Sequence, residues 1–144
     1  MAGKAGSMTP ILIAVAVLVI GLLIYTNRPS YGPDQPFLAK NGLWAAHAQS
    51  EDADLEVYSQ PGAAGPSYFC AAAEFAVRYQ KRSRAEYLVV TRPESDSETR
   101  LGFRSVVFRV VGKDDIGDLS PNGATVSVAR AGEHRTVAFA EQLC

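Results

Sequence analysis

Two cysteines, two histidines and one tryptophan are all that the 144 residues hold of these types, and that scarcity removes whole classes of chemistry. With the cysteines at positions 70 and 144 there is no C-x-x-C pair of a redox or zinc site, and only His47 and His134 could join them around a metal. No H-E-x-x-H, no G-x-S-x-G elbow and no Gly-rich phosphate loop occurs. Asp114-Asp115-Ile116-Gly117-Asp118 lacks the alternating oxygen ligands and closing Glu of a calcium loop and reads as a solvated turn. Ser67 and Ser105 have no base positioned for them, and Glu133 and His134, neighbours on a strand, point to opposite faces. Positive charge is also short: 14 Lys and Arg face 15 Asp and Glu, a net charge of −1, which argues against nucleic acid or anionic headgroups as recruiting partners. The expectation is a protein that is not an enzyme, with no cofactor and no metal.

What is present is a long stretch without charge. No charged side chain falls between Lys4 and Arg28. Ile11, Leu12, Ile13, Val15, Val17, Leu18, Val19, Ile20, Leu22, Leu23, Ile24 and Tyr25 form an apolar run broken only by Ala14, Ala16 and Gly21. Helical, its fifteen residues cover about 23 Å, and Met8 to Pro10 with Thr26 bring it close to the roughly 30 Å of a bilayer core. Lys4 on one side, and Tyr25 with Arg28 on the other, stand where snorkelling cations and an interfacial aromatic belong. A cleaved secretory signal would leave through small residues in an A-x-A pattern, whereas this run leaves through Leu22-Leu23-Ile24-Tyr25-Thr26-Asn27. The segment therefore reads as an uncleaved single-pass anchor over residues 10–26, after a tail of residues 1–9.

Lysine and arginine near the two ends, Lys4 against Arg28 and Lys40, vote weakly for the opposite orientation. Long domains translocate with little regard to charge, however, and residues 37–144 hold both cysteines. The expectation is a bacterial inner (cytoplasmic) membrane protein with its N-terminus in the cytoplasm and its domain in the oxidising periplasm. Two of the 14 basic residues, Lys4 and Arg28, flank the apolar run, which leaves 12 against 15 acidic and −3 on the domain. Residues 27–36, with three prolines and a glycine, form a linker of semi-rigid reach. An even cysteine count in a translocated domain suggests a disulfide between Cys70 and Cys144, worth about 4 kcal/mol in the chain-entropy view.

The domain reads as α+β, one main helix packed on an antiparallel sheet of about four strands. Residues 37–49 suggest a short extended piece, a turn at Asn41-Gly42 and a helical turn or two from Leu43, with Trp44 in the core and His47 an ordinary histidine. Leu55-Glu56-Val57-Tyr58 is a strand. Ser67 is a natural N-cap for a helix from Tyr68 to about Lys81. Its apolar face carries Phe69, Cys70, Ala73, Ala76 and Val77, widened by Tyr68, Ala72, Phe75 and Tyr79. The i,i+4 pair Glu74 and Arg78 faces water opposite, and Lys81, Arg82 and Arg84 form a solvated, dipole-favoured helix end. Tyr87-Leu88-Val89-Val90 is a strand, followed by a polar loop over residues 93–102. In residues 103–111, Val106, Phe108 and Val110 take one face and Ser105, Val107 and Arg109 the other. Residues 124–130 and 135–140 read as a hairpin around Ala131-Gly132-Glu133, with Val126, Val128, Val137 and Phe139 inward.

The helix start Tyr68-Phe69-Cys70-Ala71-Ala72-Ala73-Glu74-Phe75, taken with Cys144, resembles that of small secreted or membrane-tethered α+β proteins of proteobacteria. The resemblance covers residues 66–144 and implies a disulfide-linked extracytoplasmic domain without catalytic residues. From anchor and domain together the expected function is that of an accessory or assembly subunit. Its partners would be the lipid bilayer and a larger integral-membrane complex of respiratory or photosynthetic type, with Ala14, Ala16 and Gly21 permitting close helix approach. The alternative is a tethered periplasmic module that binds a ligand or peptide, or inhibits an envelope enzyme.

Overall fold

The structure, a computed structural model, describes residues 9–26, 35–51, 54–117, 119 and 123–144. It divides into two compact units, Met1–Gly32 and Pro33–Cys144.

The first unit contributes helix α1, Thr9–Thr26. Its side chains are described from Ile13 to Gly21, and all nine are exposed. They are apolar residues and one glycine, so the helix has no polar stripe to turn toward water. Among the described residues no helix is long and apolar enough to cross a membrane; the nine described positions of α1 rise only about 14 Å. The anchor residues Ile11, Leu12, Leu22, Leu23, Ile24 and Tyr25 carry side chains outside the described set, as do residues 1–8 of the expected tail and 27–34 of the expected linker.

The second unit is α+β, built on one sheet of six strands rather than four. In chain order these are β1 (Phe37–Leu38), β2 (Trp44–His47), β3 (Asp54–Tyr58), β4 (Tyr87–Asp96), β5 (Arg104–Val111) and β6 (His134–Thr136). Every pairing is antiparallel and the spatial order is β1-β2-β3-β5-β4-β6. Helix α2 (Gly65–Arg78) covers one sheet face, and a short α3 (Val137–Glu141) packs beside it.

Residues 43–48 are extended and not helical. Gly42 takes φ 84°, and Ala39 N–H donates to the Leu43 carbonyl at 2.9 Å, so Asn41-Gly42 closes a hairpin that sends β2 back beside β1. The alternation then fixes the sides: Ala45 faces α2 and is fully buried, and His47 is half-buried on the same side, 5.1 Å from the Phe75 ring. Trp44 goes to the other face and stays 38 % exposed instead of filling the core. The hairpin is tied to α2 by Asn41 Nδ2 donating to the Ser67 carbonyl and by Lys40 N–H donating to Glu74 Oε2, both at 2.7 Å. Glu74 is therefore buried by the turn rather than facing water, while its i,i+4 pair with Arg78 forms at 3.2 Å.

Helix α2 starts two residues before Ser67. Ala64 is the N-cap without a side-chain bond, and Pro66 occupies the first turn, where a missing N–H costs nothing. Gly65 is required there because a Cβ would stand 2.2 Å from the Val126 carbonyl oxygen. The helix stops at Arg78, short of Lys81, which takes a left-handed φ of 56°. Of the expected apolar face, Tyr68, Phe69, Cys70, Ala72, Ala73, Phe75 and Ala76 are buried, and Val77 and Tyr79 pack against the core partly buried. Phe69 meets Phe108 edge-on at 5.0 Å, and Phe75 stacks on Tyr79 with Phe37 edge-on to both.

β4 runs on to Asp96, past Pro93. Register shifts near Arg92 and Ser95 absorb the proline, which lies beyond the stretch paired with β6. The expected last hairpin is replaced. Residues 126–128 are not a strand, and β6 is three residues long. Thr136 then accepts a bond from Phe139 N–H at 3.1 Å and caps α3. Val137 is fully buried, but Phe139 is turned outward, and Val126 and Val128 pack only at the core margin.

Candidate functional site

α2 does not touch the opposite face of the sheet. β3 shows the consequence, since all five of its residues are buried: Leu55 and Val57 toward α2, and Asp54, Glu56 and Tyr58 away from it. A strand of alternating Leu, Glu, Val and Tyr would ordinarily leave its glutamate in water. Here the loop between β4 and β5, residues 97–103, folds over it.

The Glu56 carboxylate receives donors from four residues. Ser97 Oγ (2.9 Å) and Thr99 N–H (3.3 Å), with the Thr99 hydroxyl, meet Oε1, while Ser105 Oγ (2.8 Å) and Glu98 N–H (3.2 Å) meet Oε2. The Tyr58 hydroxyl lies 2.6 Å from that of Thr99, and either oxygen can donate. Burial pushes the Glu56 carboxyl up, but the hydroxyls of Thr99, Ser105 and Ser97 and the Glu98 N–H outweigh it and hold the group below the ordinary glutamate range. Burial likewise raises Tyr58; the Thr99 bond works against that, and the Glu56 charge adds to it. Glu56 is thus an ionised, saturated acceptor with no lone pair directed at a substrate. It acts as a pin between loop and strand.

A second buried carboxylate next door ties β3 to β5. Asp54 is 2 % exposed and takes a two-point fork from Arg109, Nε at 2.6 Å and Nη2 at 3.0 Å, with Glu51 adding a bond to Nη2 at 3.0 Å. The bond to Asp54 is the main reason Arg109 holds its proton more firmly than usual. Glu98 in turn pairs with Arg92 at 2.5 Å and accepts the Ser50 N–H.

The end of this face is apolar. Register places Leu38 beside Trp44 and continues from Ala45–Val57 to set Trp44 beside Tyr58. The Tyr58 ring lies 6.1 Å from that of Phe103, and the Arg100 guanidinium sits over Phe103 at 4.0 Å. Leu38, Trp44, Leu101 and Phe103 are 51, 38, 100 and 41 % exposed. Elsewhere an open recess of about 360 Å³ is lined by Gly65, Pro93, Glu94, Arg104 and residues 126–129.

Of the residues singled out in the sequence, Cys70 and Cys144 are joined by a disulfide with Cα atoms 5.1 Å apart. It fastens the segment after α3 to the buried side of α2. Ser105 is at the pin as a donor to Glu56. His134 is buried, its Nδ1 2.9 Å from the Gly132 carbonyl oxygen, and remote in register from His47. Asp114 and Asp115 lie on a single 3-10 turn, and Asp118 is outside the described residues. Among the described residues no three His, Cys, Asp or Glu side chains stand together as metal ligands. The Glu56 pin and the Trp44 patch escaped the sequence reading; the clustered hydroxyls of Ser97, Thr99 and Ser105 were the available signal for the first. Compared with protein-family models, with curated proteins and with solved structures, the chain matches none.

Proposed function

We propose that the chain is a single-pass protein of a bacterial inner membrane, with its domain on the periplasmic side, and that it serves as a non-catalytic accessory or assembly subunit of a larger integral-membrane complex. The observation that carries this reading is α1: nine consecutive described side chains, apolar or glycine on every side of the helix, all left exposed. Such a surface requires either lipid or another helix. The Cys70–Cys144 disulfide suits an oxidising compartment, and the buried carboxylates Asp54, Glu56 and Glu74 are taken up by donors within the domain.

Affinity isolation from mild-detergent membranes, with the tag on the N-terminus, tests the reading. Stoichiometric recovery of one membrane complex is the expected result. Recovery of the chain alone would sink the subunit role and favour the tethered binding module, for which the recess beside Gly65 and Arg104 is the candidate pocket.

A further inference from the structure

We propose that the apolar end of the sheet, formed by Leu38, Trp44, Leu101 and Phe103 with Arg100 at its rim, rests in the headgroup–acyl boundary of the same bilayer that holds the anchor. This inference depends on the membrane-anchor reading and adds a second, weaker contact to it.

Three observations select lipid as the occupant. The first is chain length. Ten residues separate the end of α1 at Thr26 from Phe37 at the start of β1, a reach of at most about 35 Å. Leu38 of the patch is the second residue of that strand, so anchoring alone keeps the patch at high effective concentration over the membrane. The second is area. The fractional exposures of these four residues amount to roughly 450 Å² of surface, about half of what one partner gives to a stable protein interface. That is too little for a free protein complex, and it suits a contact already tethered.

The third is chemistry. Leu101 stands fully exposed on the turn before Gly102 (φ 81°), two residues from Phe103. Trp44 and Phe103 follow as half-exposed aromatics, the residue types that settle at the boundary. Arg100 stacks on Phe103 and makes no ion pair among the described residues, leaving its guanidinium for a lipid phosphate. Of the acids nearest in sequence, Glu98 pairs with Arg92 and Glu94 with Arg104, while Asp96 is exposed and makes no ion pair among the described residues. Because the domain carries a negative net charge, the contact is one of apolar insertion and does not call for anionic lipid.

Trp44 is the chain's one tryptophan, so its fluorescence reports on the patch alone. The full chain is reconstituted into phosphatidylcholine vesicles with or without bromine on the shallow acyl carbons, and an alkaline carbonate wash is run in parallel. The expected result is a carbonate-resistant chain whose Trp44 emission falls about twofold in brominated vesicles, as for an aromatic at the boundary. Adding phosphatidylglycerol should change little. The drop should vanish in Leu101→Asp and shrink in Leu38→Asp, variants at exposed positions whose folding is checked by an intact Cys70–Cys144 bond on a non-reducing gel. A carbonate-resistant chain without quenching overturns the patch proposal and leaves the anchor standing; a chain released by carbonate overturns both. Quenching that survives Leu101→Asp overturns it as well. So does a photocrosslinker at position 101 that gives a protein adduct in native membranes, which would make the patch a protein interface.

Discussion

On the α2 side of the sheet, Leu55, Val57, Leu88, Val90, Val106 and Phe108 are sealed by a helix whose Ala71, Ala72, Ala73 and Ala76 allow close approach. On the other side Asp54, Glu56 and Ser105 are buried as deeply, yet what seals them near the end of β3 is a loop of residues 97–103 rather than a helix or second sheet. The first face closes by shape and the second by hydrogen bonds. A cover this thin has little apolar area to offer, so it is held by charge-assisted bonds to a carboxylate that reaches only donors. The apolar face should be indifferent to pH, and the polar one should not.

The largest effect expected from breaking this contrast is on the helix side. Phe108→Ala removes the ring that Phe69 meets edge-on at 5.0 Å, and should cost about 3–5 kcal/mol of unfolding free energy. In denaturant titrations of the full chain in mild detergent, the loss should be the same at neutral and mildly acidic pH. A loss below about 1 kcal/mol would mean that α2 is not the main cover of this face.

Glu56→Gln comes next, at about 2–4 kcal/mol near neutral pH, because the amide replaces one acceptor with a donor and leaves buried hydroxyl and N–H groups without a partner. Here pH separates the faces. A carboxyl held below its ordinary range gives stability that is fully present above the unfolded value and is lost as pH falls through the folded one. The gap between the parent chain and Glu56→Gln should therefore narrow from about pH 5 downward. A gap that stays constant through acid would show that Glu56 is not ionised in the folded chain.

The same contrast separates what could be read in the sequence from what could not. The inner face of α2, the strand at Val106, Phe108 and Val110, the Asn41-Gly42 turn and the pairing of Cys70 with Cys144 were legible because each rests on local periodicity, a turn dipeptide or a count. Trp44-Ala45-Ala46-His47 was not, since its alanines favour a helix and only the neighbouring β3 makes it a strand. Val137-Ala138-Phe139-Ala140 has the alternation of a strand, yet the Thr136 cap starts a helix there. Glu56 was the hardest to read. Its partners Ser97 and Thr99 lie 41 and 43 residues away, and the cluster of hydroxyls at Ser97, Thr99 and Ser105 does not say which strand it will cover.

The smallest effect concerns two forks of the same form. Arg84 meets Glu141 through Nε at 2.5 Å and Nη2 at 3.1 Å, much as Arg109 meets Asp54. The geometry would rank them equal, but solvent does not. The Arg84 side chain is 64 % exposed and that of Glu141 28 %, whereas the Asp54 side chain is 2 % exposed. Water and salt screen the first pair, and its formation must also immobilise a long side chain. What holds α3 in place there is the backbone, with Val137 N–H bonded to the Glu86 carbonyl and Ala138 N–H to that of Arg84, together with the Cys144 disulfide. Arg84→Ala should therefore leave the unfolding midpoint unchanged within error, in low salt and in high. A drop comparable to that of Glu56→Gln would mean that exposed forks hold this domain as firmly as buried ones, and the distinction drawn between the sheet's two faces would fail with it.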